Sequence, residues 1–214
     1  MTHAYQLHEF FLSEVPDLTK KVVLDCGCGY GIWGYLVRAE KNANNAYLVG
    51  FDLHKPYMKY CKFHRVYDDV ILADARYLPF RRKSIDVVMA AEIVEHLEQE
   101  DGEIFLDRVD ELCRGVAIIS TPNGPAPEGH LVNESPLELH RSVWGVSDFR
   151  RRGYKVRGIG LKYSWVFYKG QRREVASYIF AFFRYVFTPL TYIFPSIGWI
   201  LIASKRFTPG KIQY

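Results

Sequence analysis

The chain has 214 residues, 49% of them hydrophobic, with 28 Lys and Arg against 24 Asp and Glu. This length and composition provide a core for a single domain spanning residues 1–214, and they exclude a disordered chain. Four cysteines without a CxxC pair argue against a disulfide framework or a structural zinc site, and the N-terminus lacks the basic region and apolar run of a signal peptide.

Segments with helical and strand-like spacing alternate along the chain. Residues 4–14 predict an amphipathic helix within an N-terminal segment at 1–18. The core, 20–160, has predicted strands at 21–25, 47–52, 69–74, 85–90, 115–120 and 154–160, with helices at 30–39, 56–63 and 103–113. A last strand is predicted within 198–205. Near-continuous apolar strands alternating with helices indicate an α/β fold, with a parallel sheet and helices on both faces.

A glycine-rich loop follows the first predicted strand, in the sequence Asp-Cys-Gly-Cys-Gly-Tyr-Gly. Gly27, Gly29 and Gly31 permit a tight turn and let a ligand approach the backbone closely. Dinucleotide-binding proteins use a similar loop, so the loop alone does not identify its ligand.

Acidic residues stand at the ends of the next two predicted strands. Asp52 ends the second strand, where a carboxylate can accept both ribose hydroxyl protons, and Asp74-Ala75 ends the third, where it can meet an adenine. Asp25, at the entrance to the loop, would repel a pyrophosphate but suits the ammonium of a methionine tail. The set predicts a site for an adenosine with a compact charged tail; the alternative is three solvated acids and a turn.

Four segments resemble the successive motifs of class I S-adenosylmethionine (SAM)-dependent methyltransferases: VLDCGCGYG, GFDLHKP, LADARYLPF and IDVVMAAEIVEHL. The resemblance covers residues 20–160 and implies a Rossmann-like, seven-stranded sheet of order 3-2-1-4-5-7-6, with the seventh strand antiparallel. It assigns Gly27, Gly29 and Gly31 to the methionine side, Asp52 to ribose and Asp74 to adenine. The other predicted cofactor residues are Asp25, Cys28, Leu53, Ala75 and Glu92.

The last of these motifs contains a possible metal-binding set. If residues 92–96 form a helical turn, Glu92, Glu95 and His96 lie on one face, and such a set suits a divalent ion with open positions. The sequence here resembles small-RNA 3′-terminal 2′-O-methyltransferases, and quinone-pathway O-methyltransferases share a similar ExxEH motif. The former resemblance implies magnesium held by Glu92, Glu95, His96 and His140.

Two mechanisms are compatible with these residues. A bound Mg²⁺ or another divalent ion would lower the pKa of an acceptor hydroxyl, whose alkoxide attacks the SAM methyl in line. Without an ion, His96 or His140 would act as the general base. In a third alternative neither residue takes part in the chemistry: Glu92 only lines the cofactor, and His96 only packs against its neighbours.

The C-terminal part differs in composition from the rest. Residues 1–140 have a net charge of −8, whereas residues 141–214 have +12, with Asp148 and Glu174 as their only acids. Residues 162–197 form a basic and aromatic insertion between the last two strands. The positive charge of residues 141–214 predicts a polyanionic or membrane-surface partner, or else a solvated basic face that binds nothing. The alternatives for the insertion are that it packs on its own domain, forms a homodimer interface or gates substrate. Pro189, Pro195 and Gly198 argue against a transmembrane helix.

The leading function is SAM-dependent methylation of a hydroxyl on a small or lipid-like molecule, since an apolar insertion lies beside the expected substrate face. RNA 2′-O-methylation is the first alternative, and a non-catalytic, membrane-associated SAM-binding protein is the second. We expect a cytoplasmic location, with contact to the inner face of the membrane if the insertion binds lipid.

Overall fold

The structure is a computed structural model that describes residues 5–125, 137, 139–162 and 186–208, with Tyr5 and Gln6 described for their backbone only. Residues 126–136 and most of the predicted insertion, 163–185, lie outside the described part.

Seven strands and six helices make up the described fold. The strands are β1 (Val22–Cys26), β2 (Tyr47–Asp52), β3 (Asp69–Leu72), β4 (Ile85–Ala91), β5 (Cys113–Pro122), β6 (Lys155–Leu161) and β7 (Gly198–Arg206). The helices are α1 (Tyr5–Glu14), α2 (Ile32–Glu40), α3 (Lys55–Phe63), α4 (Gln99–Leu112), α5 (Val146–Arg150) and α6 (Thr188–Ile193). Short 3₁₀ helices cover Ala75–Tyr77, Val94–His96 and Pro195–Ile197.

The strands form one sheet of order β3-β2-β1-β4-β5-β7-β6. β1 pairs in parallel with β2 and β4, while β7 runs antiparallel to both β5 and β6. The predicted order, including the antiparallel seventh strand, is therefore confirmed. The carboxyl ends of β1, β2, β3, β4 and β5 lie along one edge, which is where ligands bind in open α/β sheets.

Helices cover both faces of the sheet. α1, α2 and α3 pack on one face; Phe11 of α1 lies 4.3 Å from Trp33 of α2, ring centroid to ring centroid. α6 joins this layer next to α1, where Phe10 meets Tyr192 at 5.6 Å. α4 buries Phe105, Leu106 and Val109 against the other face. Burial of these side chains on both sheet faces holds the strand ends in fixed register.

Most element boundaries differ from the prediction by one to four residues, and two of these differences occur where a helix begins. β3 ends at Leu72, because Asp74 instead begins a 3₁₀ helix and accepts a hydrogen bond from the Arg76 backbone amide. α4 begins at Gln99 rather than at 103, with Glu100 and Asp101 in its first turn, where carboxylates stabilise a helix through its dipole.

Ion pairs join the two oppositely charged parts of the sequence. Five of the nine basic residues that the structure describes in 141–208 form ion pairs with acids from residues 1–140. These pairs are Arg141–Glu98, Arg151–Glu103, Arg152–Glu103, Arg157–Glu14 and Lys205–Asp110. Part of the charge that predicted a polyanionic partner is therefore paired within the described part of the domain.

Among the helices that the structure describes, each is too short or too polar to span a bilayer.

Candidate functional site

The glycine loop between β1 and α2 turns sharply against the end of β2. Gly27, Gly29 and Gly31 all have positive φ, and a Cβ at Gly27 would lie 2.7 Å from Cδ1 of Ile93. Glycine is therefore required at position 27 by both conformation and space. The Cys28 amide donates to the Phe51 carbonyl at 2.9 Å, which fixes the loop to β2.

Cys28 was predicted to line the cofactor, but its thiol points into the protein. The Cys28 and Cys61 side chains are both buried, and the Cys61 thiol donates to the Gly29 carbonyl at 3.3 Å. Because the Cys28 thiol is enclosed, only the backbone of this residue can face a ligand.

Asp52 connects the loop to the end of β2. Its Oδ2 accepts from the Gly29 amide at 3.0 Å and its Oδ1 from the His54 amide at 2.8 Å. Each oxygen keeps a second lone pair, so the half-buried carboxylate can also accept from ribose hydroxyls. The structure thus brings the loop and Asp52 together, and the neighbouring Leu53 is exposed beside them.

Asp74 lies two residues beyond β3, near the same edge. Its carboxylate forms an ion pair with Arg76, whose Nη2 approaches Oδ2 to 2.7 Å, and these hydrogen bonds hold the pKa of Asp74 below its usual value. Ala75 is buried behind it. An adenine amino group would have to donate to the acceptor positions of the Asp74 carboxylate that Arg76 does not occupy.

Asp25 is buried beneath the loop rather than at its surface. The Tyr67 hydroxyl donates to Oδ2 at 2.5 Å, and Oδ1 has no hydrogen-bond partner in the described part of the chain. Burial is the main cause that raises the pKa of Asp25 to about 7, against the hydrogen bond from Tyr67, which lowers it. Its predicted role with the methionine ammonium stays a prediction.

Glu92 follows β4 in a left-handed conformation, with φ 54°. Its amide donates to the Ser120 carbonyl at 3.0 Å, and its Oε1 accepts from the Ser120 hydroxyl at 2.9 Å. Burial raises the pKa of Glu92 to about 7. The helical turn predicted over 92–96 is wrong, because this conformation interrupts it and the 3₁₀ helix starts only at Val94.

Glu95, His96 and His140 form a compact cluster at the ends of β4 and β5. Each offers one donor atom, and these atoms all lie within 4.8 Å of one another. The predicted fourth ligand, Glu92, is not in this group, because its backbone directs its carboxylate to Ser120. Three of the four predicted ligands are thus brought together.

The segment that carries His140 is fastened to the turn that carries Glu95. The Arg141 and Ser142 amides both donate to the Glu95 carbonyl, at 2.7 and 3.2 Å. The His96 Nδ1 lies 3.2 Å from the Leu139 carbonyl, which can only accept, so a hydrogen bond between them requires the proton on Nδ1. The imidazole rings of His96 and His140 are 5.0 Å apart.

The buried carboxyl of Glu95 is only half satisfied. Its Oε2 accepts from the Thr121 hydroxyl at 3.0 Å, whereas Oε1 has no hydrogen-bond partner among the described residues. Burial and the nearby Glu92 carboxylate raise the pKa of Glu95 well above its usual value. Two buried acids favour a positive charge beside them, either an imidazolium or a metal ion.

Sequence reasoning did not assign roles to Tyr67, Ser120, Thr121 and Asn123. Ser120, Thr121 and Asn123 are small polar residues at the end of an apolar strand, a signal that such side chains face a site rather than a core. Tyr67 is separated from Asp25 by 42 residues, so no local pattern indicates that pair.

The cofactor loop, the strand-end acids and the sheet order define the fold of class I SAM-dependent methyltransferases. Residues 23–115 match the family model described as a methyltransferase domain. Residues 23–115 thus match a methyltransferase domain, and the sheet has the class I SAM-dependent methyltransferase fold that the motifs predicted.

Comparison with individual proteins supports this assignment at the level of the fold. An uncharacterised protein from Methanocaldococcus jannaschii is 25% identical over 164 residues; the match spans 69% of this chain and 64% of that protein's length. A chain of the Haloferax volcanii complex that contains the Trm112 methyltransferase activator aligns with TM-score 0.64 at 15% identity, covering 98% of this chain and 92% of that one. A SAM-dependent methyltransferase from Archaeoglobus fulgidus aligns with TM-score 0.58 at 21% identity, covering 93% of each chain.

Proposed function

We propose that the protein transfers the methyl group of SAM to a hydroxyl of a small or lipid-like acceptor. SAM would lie along the edge formed by the glycine loop, Asp52 and Asp74, with Glu92 near its methionine end. SAM supplies an electrophilic methyl on a sulfonium. The chain's residues bind and orient it and remove the proton from the attacking hydroxyl.

The observation that carries this proposal is the cluster of Glu95, His96 and His140. An acceptor hydroxyl at this cluster would give its proton to an imidazole nitrogen as its oxygen attacks the methyl carbon. The new oxygen–carbon bond forms while the sulfur–carbon bond breaks and its electrons stay on sulfur. The buried carboxyl of Glu95 stabilises the imidazolium that results.

The same three side chains fit a divalent ion. An imidazole pair and a carboxylate with an unsatisfied buried oxygen form a donor set of the kind that holds borderline divalent metals. Such an ion would act as a Lewis acid and lower the pKa of the acceptor hydroxyl. Glu95, His96 and His140 would hold it, without Glu92.

A lipid-like acceptor is supported by exposed apolar side chains at the end of α6. Leu190, Ile193 and Phe194, on α6 and just after it, are exposed to solvent. The Asn123 amide, two residues after Thr121, donates to the carbonyls of Pro195, Ser196 and Gly198 and so joins the α6 end to the end of β5. An apolar acceptor could rest on this surface with its hydroxyl at the cluster.

The test is a labelled-SAM assay against separated lipid, RNA, protein and small-molecule extracts. We expect label in the lipid or small-molecule fraction, and none when His140→Ala replaces the unaltered protein at equal SAM occupancy. Label confined to RNA would replace the proposed acceptor with the RNA alternative. SAM binding without turnover in any fraction would leave only a non-catalytic SAM-binding protein. Activity that persists in excess chelator would show that the imidazoles act without a metal.

A further inference from the structure

The helix α3 carries a row of positive charges that the rest of the domain does not neutralise. Lys55, Lys59, Lys62 and Arg65 are exposed, and none forms an ion pair with a residue in the described ranges. No Asp or Glu occurs between residues 54 and 67. This contrasts with the C-terminal basic residues, five of which are paired within the domain, so an unneutralised positive surface lies within the part of the chain with a net negative charge.

Aromatic side chains alternate with these charges. Phe63 is 82% exposed, and Tyr60 of the same helix and Tyr35 of α2 are also exposed. A groove of about 610 Å³ runs between α2 and α3, with Tyr30, Tyr35, Tyr60, Arg38 and Arg65 among its lining residues, and no acid lines it. We call the exposed residues 55, 59, 60, 62, 63 and 65 the basic face.

A second exposed surface lies in the same layer of helices. α6 packs beside α1 through the ring contact Phe10–Tyr192, and α1 packs beside α2 through the ring contact Phe11–Trp33. The large exposed side chains on α6 and just after it are those of Leu190, Ile193 and Phe194, with Ile193 at 69% exposure. One side of the molecule thus presents lysines and aromatic rings on α3 and an apolar surface on α6.

We infer that the helix layer α3-α2-α1-α6 docks on the surface of an anionic lipid bilayer. Lysine and arginine attract the lipid phosphates, and exposed Phe, Ile and Leu enter the headgroup region. The inference rests on the proposed lipid-like acceptor, which the docked layer would bring close to the end of α6.

The apolar residues of α6 decide between a bilayer and a single-stranded nucleic acid. Tyrosine and arginine serve both partners, since tyrosine stacks on bases and arginine pairs with phosphates. Exposed Ile193, Leu190 and Phe194 have no hydrogen-bonding group and gain nothing from a phosphate backbone. A bilayer interface satisfies both surfaces at once.

Vesicle co-sedimentation tests the inference, with phosphatidylcholine vesicles that either contain or lack phosphatidylglycerol. The double variant Lys59→Glu/Lys62→Glu removes charge from the basic face, and Ile193→Glu/Phe194→Glu removes the apolar contact. The matched controls lie toward the opposite helix layer: Arg81→Glu/Arg82→Glu near α4, and Ile104→Glu on α4, whose side chain is also exposed. SAM binding, measured on every variant, reports whether the cofactor site is intact.

We expect binding that requires phosphatidylglycerol and weakens with salt. Each double variant should reduce partitioning by about tenfold or more, and the controls should bind like the unaltered protein. Equal losses in the control variants, or no vesicle binding at low salt, would overturn the inference. So would tight binding to single-stranded RNA without vesicle binding. SAM binding that persists in those cases would leave the methyltransferase proposal standing.

Discussion

Thr121 and Glu95 meet in the interior of the protein, where the threonine hydroxyl donates to Glu95 Oε2 at 3.0 Å. The other oxygen, Oε1, is buried without a hydrogen bond to the described residues. A buried unsatisfied carboxyl oxygen is costly, and proteins retain such groups mainly at functional sites. Glu95 lies next to two imidazoles, and the proposed mechanism assigns its carboxyl the role of stabilising an imidazolium or an ion there.

Replacement of this carboxyl by an amide tests its role. Glu95→Gln keeps the shape and the hydrogen bond from Thr121 but removes the negative charge that stabilises an imidazolium or an ion. We expect kcat to fall by about 100-fold or more, the lower range of general acid–base contributions, with SAM affinity unchanged. Glu111→Gln on the surface of α4 is the control and should retain full activity. A Glu95→Gln enzyme with normal kcat would place the chemistry elsewhere.

Asp52 is the acid that we expect to contact the cofactor most directly. In Asp52→Asn a single carbonyl oxygen must replace two carboxylate oxygens that accept from Gly29 and His54. We expect SAM and S-adenosylhomocysteine to lose about 1–3 kcal/mol of binding free energy, because charge-assisted hydrogen bonds are lost. Calorimetric titration measures both ligands, and the exposed Asp69→Asn is the control. An unchanged dissociation constant would show that the ribose does not bind at the end of β2.

The parts of this site that follow a strand directly could be predicted from sequence. Gly27–Gly31 and Asp52 are contiguous with apolar strands, and strand polarity alone brings those strand ends to one edge. The positive φ of Glu92 could not be predicted, because it depends on Ser120, 28 residues later. The pairing of Arg157 with Glu14, 143 residues apart, could not be predicted from the sequence either. It is one of the five ion pairs that reduce the free positive charge of the C-terminal part.

The buried Asp25 predicts a pH-dependent stability. Its pKa is about 7 in the folded chain and near 3.8 when unfolded, so the folded state binds an extra proton between these values. The free energy of unfolding should therefore fall by about 3 kcal/mol as pH rises from 4 to 7, through this residue alone. Asp25→Asn should remove that fall, as denaturant titrations at several pH values would show.

A second variant tests how the Tyr67 hydroxyl affects the ionisation of Asp25. Tyr67→Phe removes a hydroxyl that favours ionised Asp25, so the fall in stability should extend to higher pH. If Asp25→Asn had the same pH profile as the unaltered protein, the proton would reside on another group.

Asn123 links the carboxyl end of β5 to the segment that follows α6. Its buried amide nitrogen lies 3.1 Å from the carbonyls of Pro195 and Ser196 and 2.7 Å from that of Gly198, so two N–H groups are shared among three acceptors. Asn123→Asp replaces the donor with a carboxylate facing those oxygens, and we expect a loss of about 3 kcal/mol or more of stability. Asn123→Leu removes the donors without adding charge and should cost about 1–3 kcal/mol.

The matched control for Asn123 is Asn42, whose amide donates to the exposed Asp17 at 3.0 Å. Asn42→Leu should change stability by less than about 0.5 kcal/mol, because that hydrogen bond is exposed to water. Urea unfolding followed by circular dichroism measures all three variants. Because Asn123 holds the segment after α6, its loss should also reduce turnover of an apolar acceptor more than SAM binding. Equal stabilities for Asn123→Asp and Asn42→Leu would mean that residues 195–198 are held by their apolar contacts alone.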